Sequence, residues 1–594
     1  MFAEKLITDH IDIWTSAVQA KSASGRGSSK KRELYGIKKL RELILELAVR
    51  GKLVPQDPSD EPASVLLERI AAEKAQLVKE KKIKKPKALP NLSLENLPAL
   101  PDGWAWAHVQ DFTEYVQRGK GPKYADKGSV RVVSQKCVQN SGFDIEPARY
   151  VEDQSLENYQ EERYLKEKDL LWNSTGTGTV GRVNVLPVVE SKSLVADSHV
   201  TVLRPLLMNS RYIWCFLMSP GVQARINPDH EFSLVSGSTK QVELNTSSVV
   251  SLPVSVAPLN EQHRIVAKVD ELMALCDQLE QQTEASLDAH QVLVETLLAT
   301  LTNSQDATEL MANWARISEH FDTLFTTEQS IDQLKQTILQ LAVMGKLVPQ
   351  DPNDEPAAKL LERIAEEKAQ LVKEKKIKKQ KALPLIAEDE KPFELPKGWE
   401  WCRLGSLFSF LNGFAFKSDW FTEQGVKLLR NINIAHSETK WSDLACVSDE
   451  LAKEYEKFSL NAGDIVISLD RPIINTGLKY AVIEEADLPC LLLQRVAKFS
   501  SYCASVNSSY LSNWLESYLF ISSIDPGRSN GVPHISTKQL EMLPFPLPPK
   551  KQQIKTVSVV DEMIFLCDQL KQRLRDSQQT QLQLTDAIVE QAIV

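Results

Sequence analysis

Apolar residues recur at helical spacing in two stretches that mirror each other. Ile37, Leu40, Ile44 and Leu47 are spaced 3-4-3, and Ile331, Leu334, Ile338 and Leu341 repeat that stripe. Gly51 and Gly345 follow, each with a proline four residues on, which predicts a helix end at both places. A second stripe of Val269, Leu272, Cys276 and Leu279 is matched by Val560, Met563, Cys567 and Leu570. Such narrow stripes suit helices packed on helices, coiled-coil fashion. If unbroken, the stretch 262–299 runs for roughly 55 Å at ~1.5 Å per residue. Between the helical stretches the pattern changes. VRVVSQKCV (130–138), DLLWNS (169–174), GRVNVLPVV (181–189) and HVTVLRP (199–205) alternate with Gly, Asn and Pro, which predicts short strands and turns. Residues 211–225 and 510–523, rich in Tyr, Trp, Leu and Phe, predict helices. Two α+β domains of about 150 residues are expected, an ordinary single-domain size.

The mirroring is a long internal repeat. Residues 51–90, GKLVPQDPSDEPASVLLERIAAEKAQLVKEKKIKKPKALP, return 294 positions later at 345–384 with five differences. LPDGWAWAHV at 100–109 answers LPKGWEWCRL at 395–404, and VDELMALCDQLE at 269–280 answers VDEMIFLCDQLK at 560–571. Between these landmarks, 110–250 and 405–541 share little beyond positions such as Gly119 with Gly413 and Asp169 with Asp464. Proline-rich stretches, LPVSVAP at 252–258 and LPFPLPP at 543–549, close each variable insert. The period is far too long for a solenoid of short units, so a whole module is duplicated around two variable inserts.

At 594 residues, 42% hydrophobic and 25% charged, the chain suits two to four soluble domains. No apolar run is long enough to span a bilayer, and the start MFAEKLITDHIDIW is acidic where a signal peptide is basic, so a cytoplasmic protein without membrane contact is expected. Eight cysteines without a CxxC pair predict reduced, mostly buried thiols rather than disulfides or zinc. GTGTVG at 176–181 fits a dinucleotide fingerprint by letters alone. The β-branched RVNVLPVVE that follows is a poor helix, so a glycine-rich turn between strands is expected. No phosphate-binding loop, amino-methyltransferase tetrapeptide or His-Glu-x-x-His motif occurs. No catalytic residue, cofactor or metal site is predicted on this chain.

Binding chemistry is another matter. The net charge of −9 argues against a uniformly basic surface, yet 79–87 holds six lysines against one glutamate. Residues 118–136 hold Arg118, Lys120, Lys123, Lys127, Arg131 and Lys136 against Asp126 alone, with Gln135 among them. The matching part of the second insert offers Lys417, Lys427, Arg430 and Asn431. Two later loops carry small polar groups: 173–179 with Ser174, Thr175 and nearby Arg182, and 468–477 with Arg471 and Asn475. Arg and Lys neutralise phosphates, while Arg, Gln and Asn also pair with base edges, so these residues are the candidate DNA contacts. The lysine tract KEKKIKK is either a solvated helix end or an arm supplying sequence-independent phosphate affinity.

This organisation resembles the specificity subunits of type I restriction-modification enzymes. LAVRGKLVPQDP at 47–58 with LAVMGKLVPQDP at 341–352, both LPxGWxW motifs, and the stretches SLPVSVAPLNEQHRIVAKVDEL and MLPFPLPPKKQQIKTVSVVDEM carry the resemblance. The second of these departs from the first at Lys551, where Glu261 is expected to align. The resemblance implies an α+β, pseudo-two-fold protein in which long antiparallel coiled-coil helices separate two target-recognition domains. It divides the chain into a flexible segment 1–31, helical regions 32–99 and 261–394 each with a basic arm, recognition domains 100–260 and 395–550, and a final helix 551–594. It further implies a bipartite, asymmetric target in double-stranded DNA, two methyltransferase subunits and restriction/translocase subunits as partners, and S-adenosylmethionine, ATP and Mg held by those partners. Read from the residues alone, a duplicated adaptor without specific DNA binding, or an enzyme with an unfamiliar site, also stays open.

Overall fold

The computed structural model describes residues 2–20, 32–93, 97–157, 159–176, 178–238, 241–474, 477–503, 506–524 and 534–593. The chain divides into two compact units, Met1–Ala285 with Gln578–Val594, and Ser286–Ser577. Two long helices, Leu259–Asn303 and Lys550–Ile593, begin in one unit and end in the other.

In the first unit, helix Tyr35–Val49 buries Ile37, Leu40, Ile44 and Leu47 as the stripe predicts. It ends at Gly51, whose φ of +67° closes the helix in the left-handed region. That glycine has a second reason to lack a side chain: a Cβ there would stand 2.5 Å from Pro101 and 3.1 Å from Trp104. Gly345, at φ +71°, meets Pro396 and Trp399 in the same way, at 2.6 and 2.9 Å. The two repeated motifs GKLVP and LPxGW therefore recur together because they pack on each other. The helices that follow, Ala63–Lys79 and Ala357–Lys373, each donate their first amide, from Ala63 and Ala357, to the carbonyl of the LPxGW glycine at 2.8 Å. Burying Trp104 (8% exposed) and Trp399 (4%) against Tyr212 and Tyr510 completes both copies.

Each variable insert is closed by a two-stranded ribbon. Ala105–His108 pairs antiparallel with Pro253–Val256, and Glu400–Arg403 with Pro544–Leu547. The prolines are tolerated because the closing strand is an edge with one partner. Beyond the ribbon both inserts have the same plan. The first has an antiparallel sheet in the order Val183–Val185, Leu170–Asn173, Val200–Pro205, Thr113–Arg118. The second repeats it as Tyr480–Val482, Ile465–Ser468, Val496–Ser501, Phe408–Asn412, and adds a fifth strand, His436–Ser437, parallel to Tyr480–Val482. A smaller sheet in each contains one parallel pair, Leu194–Ala196 with Arg131–Val133 and Cys490–Leu492 with Val426–Leu429. The two positions that survive divergence fix this plan. A Cβ on Gly119 or Gly413 would fall 2.1 Å from the carbonyl of Asp197 or Leu493, where one sheet crosses onto the other. Asp169 and Asp464 each accept an amide across the turn before the central strand, at 2.8 and 2.7 Å.

Within each unit the repeated helices pack antiparallel, and salt bridges record the register. In the second, Arg575, Lys571 and Asp568 of the long helix meet Glu328, Asp332 and Lys335 of helix Glu328–Val343 in reverse order. In the first, Arg41 meets Asp277 and Glu280, and Asp60 meets Arg264. By the repeat, Arg41 with Asp277 corresponds to Lys335 with Asp568, the same signs, whereas Lys38 and Glu280 correspond to Asp332 and Lys571, the signs exchanged. The far ends of the long helices are held alike: Lys52 donates to the Ile593 carbonyl, and Lys346 to those of Thr302 and Ser304, all at 2.9 Å. A cation is favourable there because helix C-termini carry unpaired carbonyls and partial negative charge.

Several expectations need correction. Part of the segment expected to be flexible is helical, over Phe2–Asp9 and Ile11–Ser16, because fully buried Trp14 anchors it so closely on helix Tyr35–Val49 that a Cβ on Gly36 would meet the Trp14 carbonyl at 2.3 Å. Residues 21–31 lie outside the described residues. The strand expected over 130–138 is broken into Arg131–Val133 and Val138–Gln139, since the Ser134 hydroxyl accepts the Lys136 amide and opens a 3-10 turn between them. Lys551 is not the counterpart of Glu261. The amides of Gln262 and Gln553 bond the equivalent prolines 258 and 549, which places Gln552 opposite Glu261. Seven of the eight cysteines are buried and all are free, as their scatter predicts.

Glu261 is 1% exposed, and burial pushes its carboxyl above the ordinary carboxylate range. It accepts from Trp104 Nε1 at 3.0 Å and Gln56 Nε2 at 3.2 Å. In the other unit Trp399 Nε1 finds the amide oxygen of Gln350 instead, at 2.7 Å. Glu261→Gln therefore retains an acceptor and is expected to change stability by under about 1 kcal/mol, whereas Glu261→Ala leaves the buried indole N–H unpaired at about 1–3 kcal/mol. Urea melts of both variants check this; equal losses would show that packing alone, and not the acceptor, matters here.

Candidate nucleic-acid interface

In both inserts the main sheet ends in loops where polar side chains collect. In the first, the register pairs Asn173 with Val200 and Thr201 with Arg118, so the ends of three strands lie side by side. The loop after Asn173 is the glycine-rich turn: Gly176, Gly178 and Gly181 have φ of +100°, +79° and +91°, and the strand Val183–Val185 follows, so no helix stands where a dinucleotide would need one. Thr175 bridges to Glu243, its hydroxyl sharing a 2.6 Å hydrogen bond with His199 Nδ1. Arg118 pairs with Glu243 and with the Ser198 carbonyl. Arg182 donates to Gln139 Oε1 at 2.6 Å and to the Gly178 carbonyl at 2.7 Å. The Gln135 carbonyl accepts from Asn173 Nδ2 at 3.1 Å, which ties the neighbouring turn to the same edge.

The second insert builds the same edge from different chemistry. Asp470 bridges to His534 where Thr175 bridges to Glu243 in the first. Asp470 accepts from Arg495 at 2.8 Å, and His534 Nδ1 stands 3.2 Å from its other oxygen. Asn431 donates to the Asp470 carbonyl at 2.9 Å and accepts from Ser468 Oγ at 3.0 Å. Lys479 Nζ donates to the Asn431 carbonyl at 2.6 Å, and burial lowers its pKa. Arg471, at φ +49°, and Arg495, at φ +68°, are exposed, both with backbones in the left-handed region that side-chain-bearing residues adopt rarely.

The structure thus brings Arg118, Gln135, Thr175 and Arg182 together in the first insert, and Asn431 and Arg471 in the second. Ser174 is at this edge but fully buried, its hydroxyl shared with Thr201 at 2.5 Å, so it supports the loop from beneath. The others lie apart. Arg131 starts a strand of the smaller sheet and stacks on Tyr150, 5.0 Å from the ring. Lys120 lies 5.8 Å over Tyr159, and exposed Lys123 stands 3.9 Å from Glu152. Lys136 is exposed. Lys417 lies over Trp420 at 5.4 Å, while Lys427 is half-buried with Nζ on the Ala486 carbonyl at 2.8 Å, a structural role. Arg430 is held by Asp443 at 2.9 Å. Asn475 lies outside the described residues. His199, Glu243, Asp470, Lys479, Arg495 and His534 were not among the expected residues; only strand register reveals them.

No helix among the described residues is long and apolar enough to cross a membrane. Comparison with known proteins agrees with this arrangement of two equivalent domains. The family model for the type I restriction modification DNA specificity domain matches twice, over residues 101–289 and 396–577. The specificity subunit of the type I restriction enzyme EcoAI from Escherichia coli is 54% identical, with 100% of both chains covered. That of EcoEI, also from Escherichia coli, is 42% identical, again over 100% of both. The solved HsdS subunit of Thermoanaerobacter tengcongensis is similar over 84% of this chain and 99% of its own, at 16% identity and a TM-score of 0.43. With two copies of the family domain and full-length relatives at this identity, the chain belongs to the specificity subunits of type I restriction-modification systems.

Proposed function

We propose that each insert reads one half of a bipartite, asymmetric sequence in double-stranded DNA through the loop-bearing end of its main sheet. The observation that carries this is the shared edge: the same strands and the same bridge in both inserts, dressed with Thr175, His199, Glu243 and Arg118 in one and with Asp470, His534, Arg495 and Asn431 in the other. A constant framework with interchanged donors and acceptors is what reading two different base sequences requires. The ion pairs at each edge hold the arginine forks in place until base edges replace the carboxylates as partners. Recognition domains at 100–260 and 395–550, helical regions at 32–99 and 261–394 and the helix 551–594 are the division this reading uses. The helical regions dock two methyltransferase subunits and the restriction/translocase subunits. S-adenosylmethionine, ATP and Mg belong to those partners, and the assembly is cytoplasmic.

The closing ribbons make each insert a replaceable unit. Exchanging residues 110–250 for the equivalent insert of a relative is expected to change one half of the methylated motif and leave the other half intact. Methylome sequencing of cells carrying the exchanged chain with its partner subunits reads this directly. A change in both halves, or in neither, overturns the reading.

A further inference from the structure

The two lysine tracts are not used by the recognition edges, and their setting is the same in both copies. Helices Ala63–Lys79 and Ala357–Lys373 stop where Lys81 and Lys375 turn left-handed, at φ +60° and +58°. Ile83 and Ile377 each fold back to donate an amide to a helix carbonyl, of Leu77 and Leu371, and both side chains are half-buried. The lysines around them, 79, 81, 82, 84, 85 and 87 in one arm and 373, 375, 376, 378, 379 and 381 in the other, are all exposed. Among the described residues their salt bridges are Lys82 with Glu80 and Lys376 with Glu374, at 2.7 and 2.8 Å.

Each arm is also pinned to the recognition domain of its own unit. Gln110 Nε2 donates to the Lys87 carbonyl at 2.8 Å. In the other, Tyr502 Oη donates to Gln380 Oε1 at 3.0 Å, and Arg403 to the carbonyls of Pro384 and Leu385 at 3.2 and 3.1 Å. The charge is concentrated. The arms together hold twelve lysines against two glutamates, and taking that net +10 from the chain's −9 leaves −19 on everything else.

We propose that the two lysine arms are phosphate-binding arms that grip the DNA backbone beside each recognition domain, independently of sequence. The inference rests on the DNA-reading function proposed above and adds to it a source of affinity separate from the source of specificity. The recognition inserts have diverged while the arms differ, over 79–87 and 373–381, only at Pro86 and Gln380. Whatever the arms touch is therefore alike on both sides, and when two domains read different bases the shared chemistry of DNA is its backbone. Exposed lysines on an extended, pinned segment are mobile point charges suited to phosphates, whereas protein–protein interface cores are depleted in lysine.

The test uses the full chain with Lys81, Lys82, Lys84 and Lys85, and Lys375, Lys376, Lys378 and Lys379, changed to Gln. A second variant changes the same residues to Arg. Binding of a labelled random-sequence duplex is followed by anisotropy across a salt series, with melting curves confirming the fold. Each phosphate left without its lysine should reduce the slope of log affinity against log salt by about 0.9. The Gln variant is expected to lose at least about 2 from that slope, with the preference for the target over random duplex unchanged, and the Arg variant to keep the wild-type slope. An unchanged slope in the Gln variant overturns the proposal. If that variant also fails to bind the methyltransferase subunits, the arms dock protein instead. Failure of the underlying reading looks different: the wild-type chain would then show no preference for target over random duplex, whatever its salt slope.

Discussion

Asp169→Ala is expected to unfold the first recognition domain while sparing the second. Asp169 is fully buried and Arg204 is 7% exposed; two hydrogen bonds of 2.7 Å join them. Burial pushes the carboxyl pKa up and the guanidinium opposes that shift, which is the balance expected of a charge held in the interior by one partner. Without it, Arg204 keeps the carbonyls of Tyr164 and Glu162, at 2.9 and 3.3 Å, the Tyr115 ring at 5.3 Å, and Glu114 at 3.8 Å, none of them as close a charge partner. Removing one member of a buried pair costs about 3–5 kcal/mol, because the remaining charge is stranded. Differential scanning calorimetry should show the transition of the first unit moved down and that of the second in place. Asp169→Leu combined with Arg204→Met should recover much of the loss, since an apolar pair of similar volume strands no charge. A single variant that melts like wild type would show that water reaches Arg204. The counterpart pair, Asp464 with Lys498, is 17% and 14% exposed, and breaking it should cost less.

Inserting two residues between Val294 and Glu295, inside the second unit, is expected to be comparably damaging, and inserting four to be mild. Val294 before that point and Leu298 and Leu301 after it are buried in the second unit with Ile317, Leu334 and Val560. Two residues turn the later part of the stripe by ~200° from the earlier part, to the opposite side of the helix. Exposing two aliphatic side chains at about 1.5–3 kcal/mol each removes on the order of 4 kcal/mol, and the hydrogen bonds from Lys346 at the helix end go with them. Four residues leave the stripe only ~40° from its place, a displacement that packed helices absorb as a stutter. Melting temperature and solubility of the two variants give the answer. Equal behaviour would show that this part of the helix is not positioned by its apolar face.

The constant frame was legible because its signals are local or repeated. The 3-4 stripes, Gly51 and Gly345 at helix ends, and the two copies of LPxGW each occur as compact strings, and the structure uses them as the spacing implies. The inserts were legible only as a class. Their strands are two to six residues long, and nothing local in Arg131–Val133 says that its neighbour is Leu194–Ala196. The candidate interface suffered most from this distance. Arg118 was visible in a basic run, but its partner Glu243 lies 125 residues away, and Arg495 lies 25 from Asp470. Lys427 shows the opposite case. Its charge suggested DNA, yet in the fold it is half-buried, with Nζ on the Ala486 carbonyl at 2.8 Å and 5.2 Å from the Trp441 ring.

The exchanged signs along the helix pairs bear on the inheritance of the chain. The coding sequences for 51–90 and 345–384 specify segments differing at five positions, and unequal crossing-over between such copies would delete one module. The surviving protein would carry helix Tyr35–Val49 from the first module and helix Lys550–Ile593 from the second. Its packing stripe would match, since the apolar positions are common to both copies. Its charges would match in part: Arg41 keeps the sign of Lys335 opposite Asp568, but Lys38 would occupy the place of Asp332, opposite Lys571 and near Arg575. A single surface pair is worth little, but here attraction gives way to repulsion instead of simply vanishing, so the one exchanged pair weighs twice. That exchange marks each helix as belonging to its own half, and a gene that had lost a recognition domain by recombination would encode a slightly less stable fold.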